Sequence, residues 1–264
     1  MADRKTALIT GASFGIGLEL ARIFAREGHN LVLVARSADK LRHLASELEK
    51  AHGTRSLILA TDLSDPGASA YVLDQTTRAN IAVDILVNNA GFGQYGFFVD
   101  NDLEECLRQI QLNITTLTHL TRLYLPEMIA RARSEGANCR ILNVASTAAF
   151  QAGPLMAVYY ATKAYVLHFS EAIANELRGT GVTVTCLCPG PTATEFQERA
   201  KITGLRLMKY GTMDARTVAE DGYSALMAGK PVVISGVKNW LVAQSVRFAP
   251  RRLVTAMVRK LQEQ

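Results

Sequence analysis

The feature that most limits the fold of this chain is an alternation. Short apolar runs recur along it, and longer amphipathic segments separate them. The runs cover residues 6–10, 31–35, 56–60, 84–88, 140–145, 182–188 and 232–235. Several show little polar alternation, the pattern of parallel strands covered on both faces. Residues 17–27, 39–51, 65–77, 103–129, 156–178 and 215–228 read as helices, the first two stopped by Gly28 and Gly53. Strands alternating with helices predict right-handed crossovers and an α/β fold, a doubly wound parallel sheet of the Rossmann type with seven strands. The chain has 264 residues and 48% apolar content, enough for one large unit. With no linker, repeat or low-complexity tract, the expectation is a single domain over 1–264, its residues 237–264 forming a helical C-terminal extension.

Charge and leader signals narrow the class. The formal net charge of +5 suits an anionic ligand or surface but is too mild to indicate nucleic acid. The opening M-A-D-R-K-T-A-L-I-T-G lacks a secretory leader, and no apolar run reaches the ~18 residues needed to span a bilayer. A cytoplasmic protein is expected. Cys106, Cys139, Cys186 and Cys188 show neither a disulfide framework nor zinc spacing and read as small buried groups. Cys186 and Cys188, alternating along a strand, are expected on opposite faces. His119 and His168 lack ligand partners at metal spacing, so no metal site is assigned.

The first strand runs into T-G-A-S-F-G-I-G, residues 10–17. Glycines at 11, 15 and 17 allow a tight bend and a close backbone approach to a pyrophosphate at a helix N-terminus. The turn, with Gly11, Ser13, Phe14, Gly15, Ile16 and Gly17, is therefore a candidate cofactor site, although its spacing is G-x3-G-x-G rather than G-x-G-x-x-G. After the second strand come Arg36 and Ser37, with no acid to hold a ribose 2′-hydroxyl. A guanidinium there pairs with a 2′-phosphate, which points to NADP(H) over NAD(H).

Y-Y-A-T-K, residues 159–163, is the candidate catalytic stretch. Tyr159 and Lys163 are i and i+4 on a helix, and Tyr160 and Lys163 are i and i+3, so local geometry leaves both tyrosines eligible.

Taken together, the motifs resemble those of the short-chain dehydrogenase/reductase family. They are T-G-A-S-F-G-I-G at 10–17, D-L at 62–63, N-N-A-G at 88–91, Asn113, Ser146, Y-x-x-x-K at 159–163 and P-G-P-T-A-T at 189–194. They run in family order over about residues 4–195. The resemblance selects Tyr159 as the proton donor in carbonyl reduction or the base in alcohol oxidation, and leaves Tyr160 a packing residue. It implies that Lys163 lowers the tyrosine pKa and binds the nicotinamide ribose, and that Ser146 bonds the substrate oxygen. Asn113 would support a water-linked proton path. Asp62 and Leu63 would contact adenine, and Asn89, Ala90 and Gly91 the adenosine ribose, while Asn88 ties strands together. Pro189, Gly190, Thr192 and Thr194 would flank the nicotinamide or diphosphate. The implied function is NADPH-dependent reduction of an apolar ketone or aldehyde. The alternatives are a 3-oxoacyl-thioester reductase and an NADP(H)-sensing regulatory protein.

The tail departs from the family ending, a V-D-G-G-like turn. Members form homodimers or homotetramers, and this departure weighs against the tetramer. After Pro250, residues Leu253, Val254, Met257, Val258 and Leu261 share a helical face, with Arg251, Arg252, Arg259 and Lys260 mostly elsewhere. Such a helix can pack on the domain, cap an apolar cleft or touch a membrane surface. The loop 92–98, Phe150, Gln151 and the stretch 204–208 are expected to line an apolar substrate pocket.

Overall fold

The structure is a computed structural model that describes residues 4–200, 202, 205, 206 and 211–263. In chain order the elements begin β1 (Thr6–Thr10), α1 (Gly15–Arg26), β2 (Asn30–Ala35), α2 (Ala38–His52), β3 (Ser56–Ala60), α3 (Ala68–Arg78) and β4 (Ile85–Asn88). There follow α4 (Leu103–Ile110), α5 (Leu117–Glu135), β5 (Cys139–Val144), α6 (Ala157–Glu176) and β6 (Val182–Cys188). The chain closes with β7 (Thr192–Ala193), α7 (Glu195–Arg199), β8 (Met213–Asp214), α8 (Ala215–Met227), β9 (Val232–Ile234), α9 (Val237–Ser245) and α10 (Arg251–Gln262).

Seven strands form one sheet in the order β3-β2-β1-β4-β5-β6-β9, every pair parallel. The strand order reverses between β1 and β4, so a crevice opens beyond their carboxyl ends. Period-two alternation splits the core between two faces. Ala7 and Ile9 face α1, α2 and α8 through Phe24, Leu44 and Val218. Leu8 faces the layer of α3 and α5 through Val72, Leu120 and Met128. Each fully buried Leu, Ile or Phe contributes roughly 1.5–3 kcal/mol relative to exposure. Polar ties cross the buried layer. Asn88 Nδ2 donates to Asn143 Oδ1 at 2.9 Å and to Thr121 Oγ1 at 3.1 Å, and Asn143 Nδ2 donates to Ser170 Oγ at 2.9 Å.

Several expectations need correction. Cys186 and Cys188 share a face, their Sγ atoms 3.8 Å apart, because residues i and i+2 of a strand point the same way. All four cysteines are free and buried. The helix read as 103–129 is two helices joined by a π-helical segment, Gln111–Thr116, and α5 runs on through Pro126 to a left-handed Gly136. The short ladder of β7 with β8 was not among the expected strands. His168 lies 3.7 Å from Glu171, one turn along α6, a carboxylate at helical spacing that the sequence reading passed over.

The C-terminal stripe divides. Val254 is buried and Val258 and Leu261 are half-buried, whereas Leu253 and Met257 are exposed. Among the described residues no helix is long and apolar enough to cross a membrane.

Candidate active site

The turn after β1 is built around missing side chains. Gly11 has φ +67°, and a Cβ there would stand 2.8 Å from Asn89 Nδ2. A Cβ on Gly17 would stand 2.3 Å from Gly11 O. Only glycine allows the strand-to-helix bend to close this tightly. Thr10 and Asn89 hold it in place. Thr10 Oγ1 accepts from the amides of Asn89 and Ala90 at 2.9 and 3.0 Å, and Asn89 Nδ2 donates to Thr10 O at 2.9 Å. Asn89 therefore spends its amide on the turn itself.

Beside the turn runs a groove of about 270 Å³. It is lined by Gly11, Ser13, Phe14, Ala90 and Gly91, and by Arg36, Ser37, Asp62, Leu63 and Arg108. Its far end is ionic. The Asp62 carboxylate lies 3.6 Å from Arg36 Nη1 and 3.4 Å from Arg108 Nη2, and accepts from Ser64 N and Oγ at 2.9 and 2.7 Å. Burial pushes the Asp62 carboxyl up, but the two Ser64 bonds and the two arginines outweigh it and hold it below the usual carboxylate range. Ser37 stands at the N-cap of α2 with its hydroxyl unused for capping. Arg108, on α4, is a site residue that sequence reasoning missed. It reaches the groove from a distant segment with no motif around it.

The groove opens into a larger apolar cavity of about 1060 Å³. Ser146, Tyr159 and Lys163 stand in its wall. Ser146 caps the short 3-10 turn Thr147–Phe150 by accepting from Ala148 N at 3.1 Å, and its Oγ donates to Pro189 O at 3.4 Å. Tyr159 stands in the same wall, near enough for the Ser146 side chain to pull its phenol down. Lys163 is buried, its Nζ donating to Val144 O at 2.8 Å and lying 5.7 Å from the centre of the Tyr159 ring. Burial lowers the Lys163 ammonium from its usual 10.5 to about 8, against a smaller upward pull from Cys186 and Cys188. Burial also raises the Tyr159 phenol, more than the neighbouring Ser146 side chain lowers it, and Tyr160 adds to the rise. That direction is opposite to the expected one: in the protein alone, desolvation of the phenolate outweighs the pull of Ser146.

Asn113 sits in the π-helical segment. Its Nδ2 donates to Phe92 O and to Thr162 Oγ1, both at 3.0 Å, and its Oδ1 accepts from Phe92 N at 3.2 Å. A Cβ on Gly91 would stand 3.0 Å from that oxygen and 3.5 Å from Lys163 Nζ, so the chain after β4 closes directly over both. Pro189, Gly190, Thr192 and Thr194 line the cavity. Thr194 packs on Gly15, and Gly190 receives Asn239 of α9 where a Cβ would stand 2.3 Å from its amide nitrogen.

Tyr160 also borders the cavity, but its hydroxyl is engaged by the C-terminal helix. It is buried, takes a hydrogen bond from Gln262 Nε2 and shares a cluster with Ala148, Met156 and Leu205. Tyr95 OH donates to the Gln262 carbonyl at 2.7 Å, so the end of α10 is clamped to two tyrosines. The inner face of the extension, including Val246, Val254, Val258 and Leu261, roofs the cavity. Gln262 and Phe196 are further residues that sequence reasoning missed. Phe196 stands between the groove and the cavity, its ring centre 5.3 Å from that of Tyr159. The expected pocket stretches are met in part. Phe92 and Gly93 line the groove and Gln151 and Leu205 the cavity. Phe97 and Phe98 are exposed, and Phe150 packs into a separate core cluster. Gly204, Leu207 and Met208 lie outside the described residues.

The comparisons with known proteins agree with this geometry. The short chain dehydrogenase profile matches residues 5–203. The chain belongs to the short chain dehydrogenase family of oxidoreductases. A short chain dehydrogenase of Pseudocercospora fijiensis is 36% identical over 194 residues, 73% of this chain and 61% of that protein. The chain thus spans less than two thirds of that relative's length. A short-chain dehydrogenase from Sphingobium yanoikuyae, solved in complex with NADPH, is 32% identical with a TM-score of 0.79, covering 98% of both chains. The bulky-bulky ketone specific alcohol dehydrogenase from Comamonas testosteroni is 32% identical with a TM-score of 0.74, covering 92% of both.

Proposed function

We propose that this short chain dehydrogenase reduces a bulky apolar ketone or aldehyde to the alcohol with NADPH. The observation that carries the reading is the gathering of Ser146, Tyr159 and Lys163, with Lys163 Nζ 5.7 Å from the Tyr159 ring centre, in the wall of an apolar cavity that joins the glycine groove. The groove suits a dinucleotide: a Cβ on Gly11 would clash with Asn89, Gly91 and Gly93 have little more room, and the far end carries two guanidiniums. Gly11, Ser13, Phe14, Gly15, Ile16 and Gly17 would hold the diphosphate on the N-terminus of α1. Arg36 and Ser37 would take the 2′-phosphate, with Asp62 and Leu63 at the adenine. Asn89, Ala90 and Gly91 would line the adenosine ribose, with Pro189, Gly190, Thr192 and Thr194 on the nicotinamide side. When bound, NADPH supplies the hydride.

The chain's own groups handle the oxygen and the proton. Ser146 Oγ donates to the carbonyl oxygen and makes the carbon more electrophilic. Tyr159 gives its phenolic proton to that oxygen as negative charge develops on it. The Lys163 ammonium stabilises the phenolate left behind and binds the nicotinamide ribose. Asn113 fixes the chain at Phe92 and Gly91 and supports the water-linked return of a proton to Lys163.

The test is NADPH oxidation with a panel of apolar ketones, aldehydes and 3-oxoacyl thioesters. Tyr159→Phe is expected to lower kcat by about 10²–10⁴ while NADPH still binds. Tyr160→Phe is expected to cost less than about tenfold, below the ~10²-fold lower end of a general-acid effect. Equal damage from the two variants, or full activity in the first, would sink the assignment. Turnover confined to thioesters would give the chain to lipid metabolism. Tight NADPH binding with no turnover would make it a sensor.

A further inference from the structure

The positive charge of the molecule is not spread evenly. Residues 237–262 carry six cations (Lys238, Arg247, Arg251, Arg252, Arg259 and Lys260) and no acid, while the remaining residues carry 23 Lys and Arg against 24 Asp and Glu. Arg259 pairs with Glu263 at 3.2 Å and covers the Phe97 ring. Among the described residues the other five make no ion pair, and all five are exposed. Arg251 and Arg252 occupy the first turn of α10, where the helix dipole disfavours cations. An external anionic layer would compensate for that placement.

The same segment presents apolar side chains outward. Val237, Trp240 and Leu241 share a face of α9 by their i, i+3, i+4 spacing, and all are exposed. Phe248, in the turn between the two helices, is 89% exposed, and Leu253 follows at 54%. An exposed apolar group of this kind marks an interaction surface. Val242 and Met257 are exposed and also line the cavity, so the exposed apolar surface of the segment reaches the cavity wall.

We infer that α9 and α10 dock this protein on an anionic lipid surface, with Trp240, Leu241, Phe248 and Leu253 entering the interface and Arg247, Arg251 and Arg252 meeting the phosphates. The charge decides between occupants. A symmetric contact with a second copy would set one acid-free cationic segment against another. Anionic headgroups complement it, and the interface accepts the apolar row. One corollary rests on the proposed activity: an apolar carbonyl would pass from lipid into the cavity without crossing bulk water.

Trp240 is the only tryptophan, so the intact protein carries its own probe. Tryptophan emission is followed as phosphatidylglycerol–phosphatidylcholine vesicles, or phosphatidylcholine vesicles alone, are added. The expected result is a blue shift, with quenching by brominated lipid, on the anionic vesicles only, reversed by salt. The triple variant Arg247→Glu, Arg251→Glu, Arg252→Glu is expected to bind at least about tenfold more weakly. Phe248→Ser is expected to weaken binding without changing its salt dependence. Circular dichroism and NADPH binding check that the variants fold, and the salt titration of the unaltered protein stands even if one does not. The proposal is overturned by no shift on anionic vesicles, by equal binding to neutral ones, or by a lipid-free shift that grows with protein concentration, which would mean self-association. Vesicle binding is read without turnover, so its failure and the failure of the proposed activity are separate results.

Discussion

Arg36 and Lys163 are charges held in opposite ways. Arg36 is exposed, 3.6 Å from Asp62, at the edge of the groove. Arg36→Asp is expected to reverse the cofactor preference, read as the ratio of kcat/KM with NADPH to that with NADH; an unchanged ratio would remove Arg36 from the 2′-phosphate site. Lys163 is buried, and its ammonium falls to about 8 from 10.5. Below pH 8 it is charged in both the folded and the unfolded chain, so the folded state bears the whole burial cost. As the pH rises from 8 to 10.5 the folded chain releases its proton first and that cost disappears. Lys163→Met is therefore expected to melt a few degrees higher than the unaltered protein at pH 7, at about 2–4 °C per kcal/mol. The gap should close towards pH 10, with activity lost throughout; a gap that widens with pH would contradict the burial argument. At this scale the sequence was legible wherever residues sit in one motif. Ser146, Tyr159 and Lys163 came from the resemblance to the family's ordered motifs. Arg108, Phe196 and Gln262 did not, because each reaches the site from a segment whose local pattern says only helix or loop.

Among elements, α10 has the most to show. Its inner residues roof the cavity, and its end is held by Gln262 between Tyr95 and Tyr160. Gln262→Ala would leave a buried tyrosine hydroxyl without its partner, at a cost of about 1–3 kcal/mol. Amide hydrogen exchange over 251–262 is expected to speed up while β1, β4 and β5 stay protected; unchanged exchange there would show that the clamp does not order the helix. The seven strands were readable because parallel strands buried on two faces need unbroken apolar runs, and 6–10 and 182–188 match the observed bounds. The break in the helix after Ile110 was not readable. The apolar periodicity carries across the π-helical segment, and its cause is tertiary: Asn113 is drawn to Phe92 and Thr162.

For the whole molecule, the faces left exposed set what it can assemble with. Leu103, Leu107 and Ile110 form an exposed row along α4, well away in sequence from the cationic tail. A homodimer through this side is the expected state in sedimentation velocity, and Leu107→Lys is expected to shift it to monomer. A tetramer that persists in that variant would place the contact elsewhere. The sheet bears on handling as well. All seven strands point the same way, so the groove and the cavity lie beyond one rim, and Gly28, Gly53, Gly136 and Gly179 close helices at the other. A Cβ added at Gly28, Gly136 or Gly179 would meet nothing within 4 Å, but their φ of +83°, +65° and +80° would strain any other residue, so an attachment point belongs on the exposed residues beside them. A covalent tether to a bead or sensor chip at that rim would hold the molecule by its blind side, leaving both openings facing the solution.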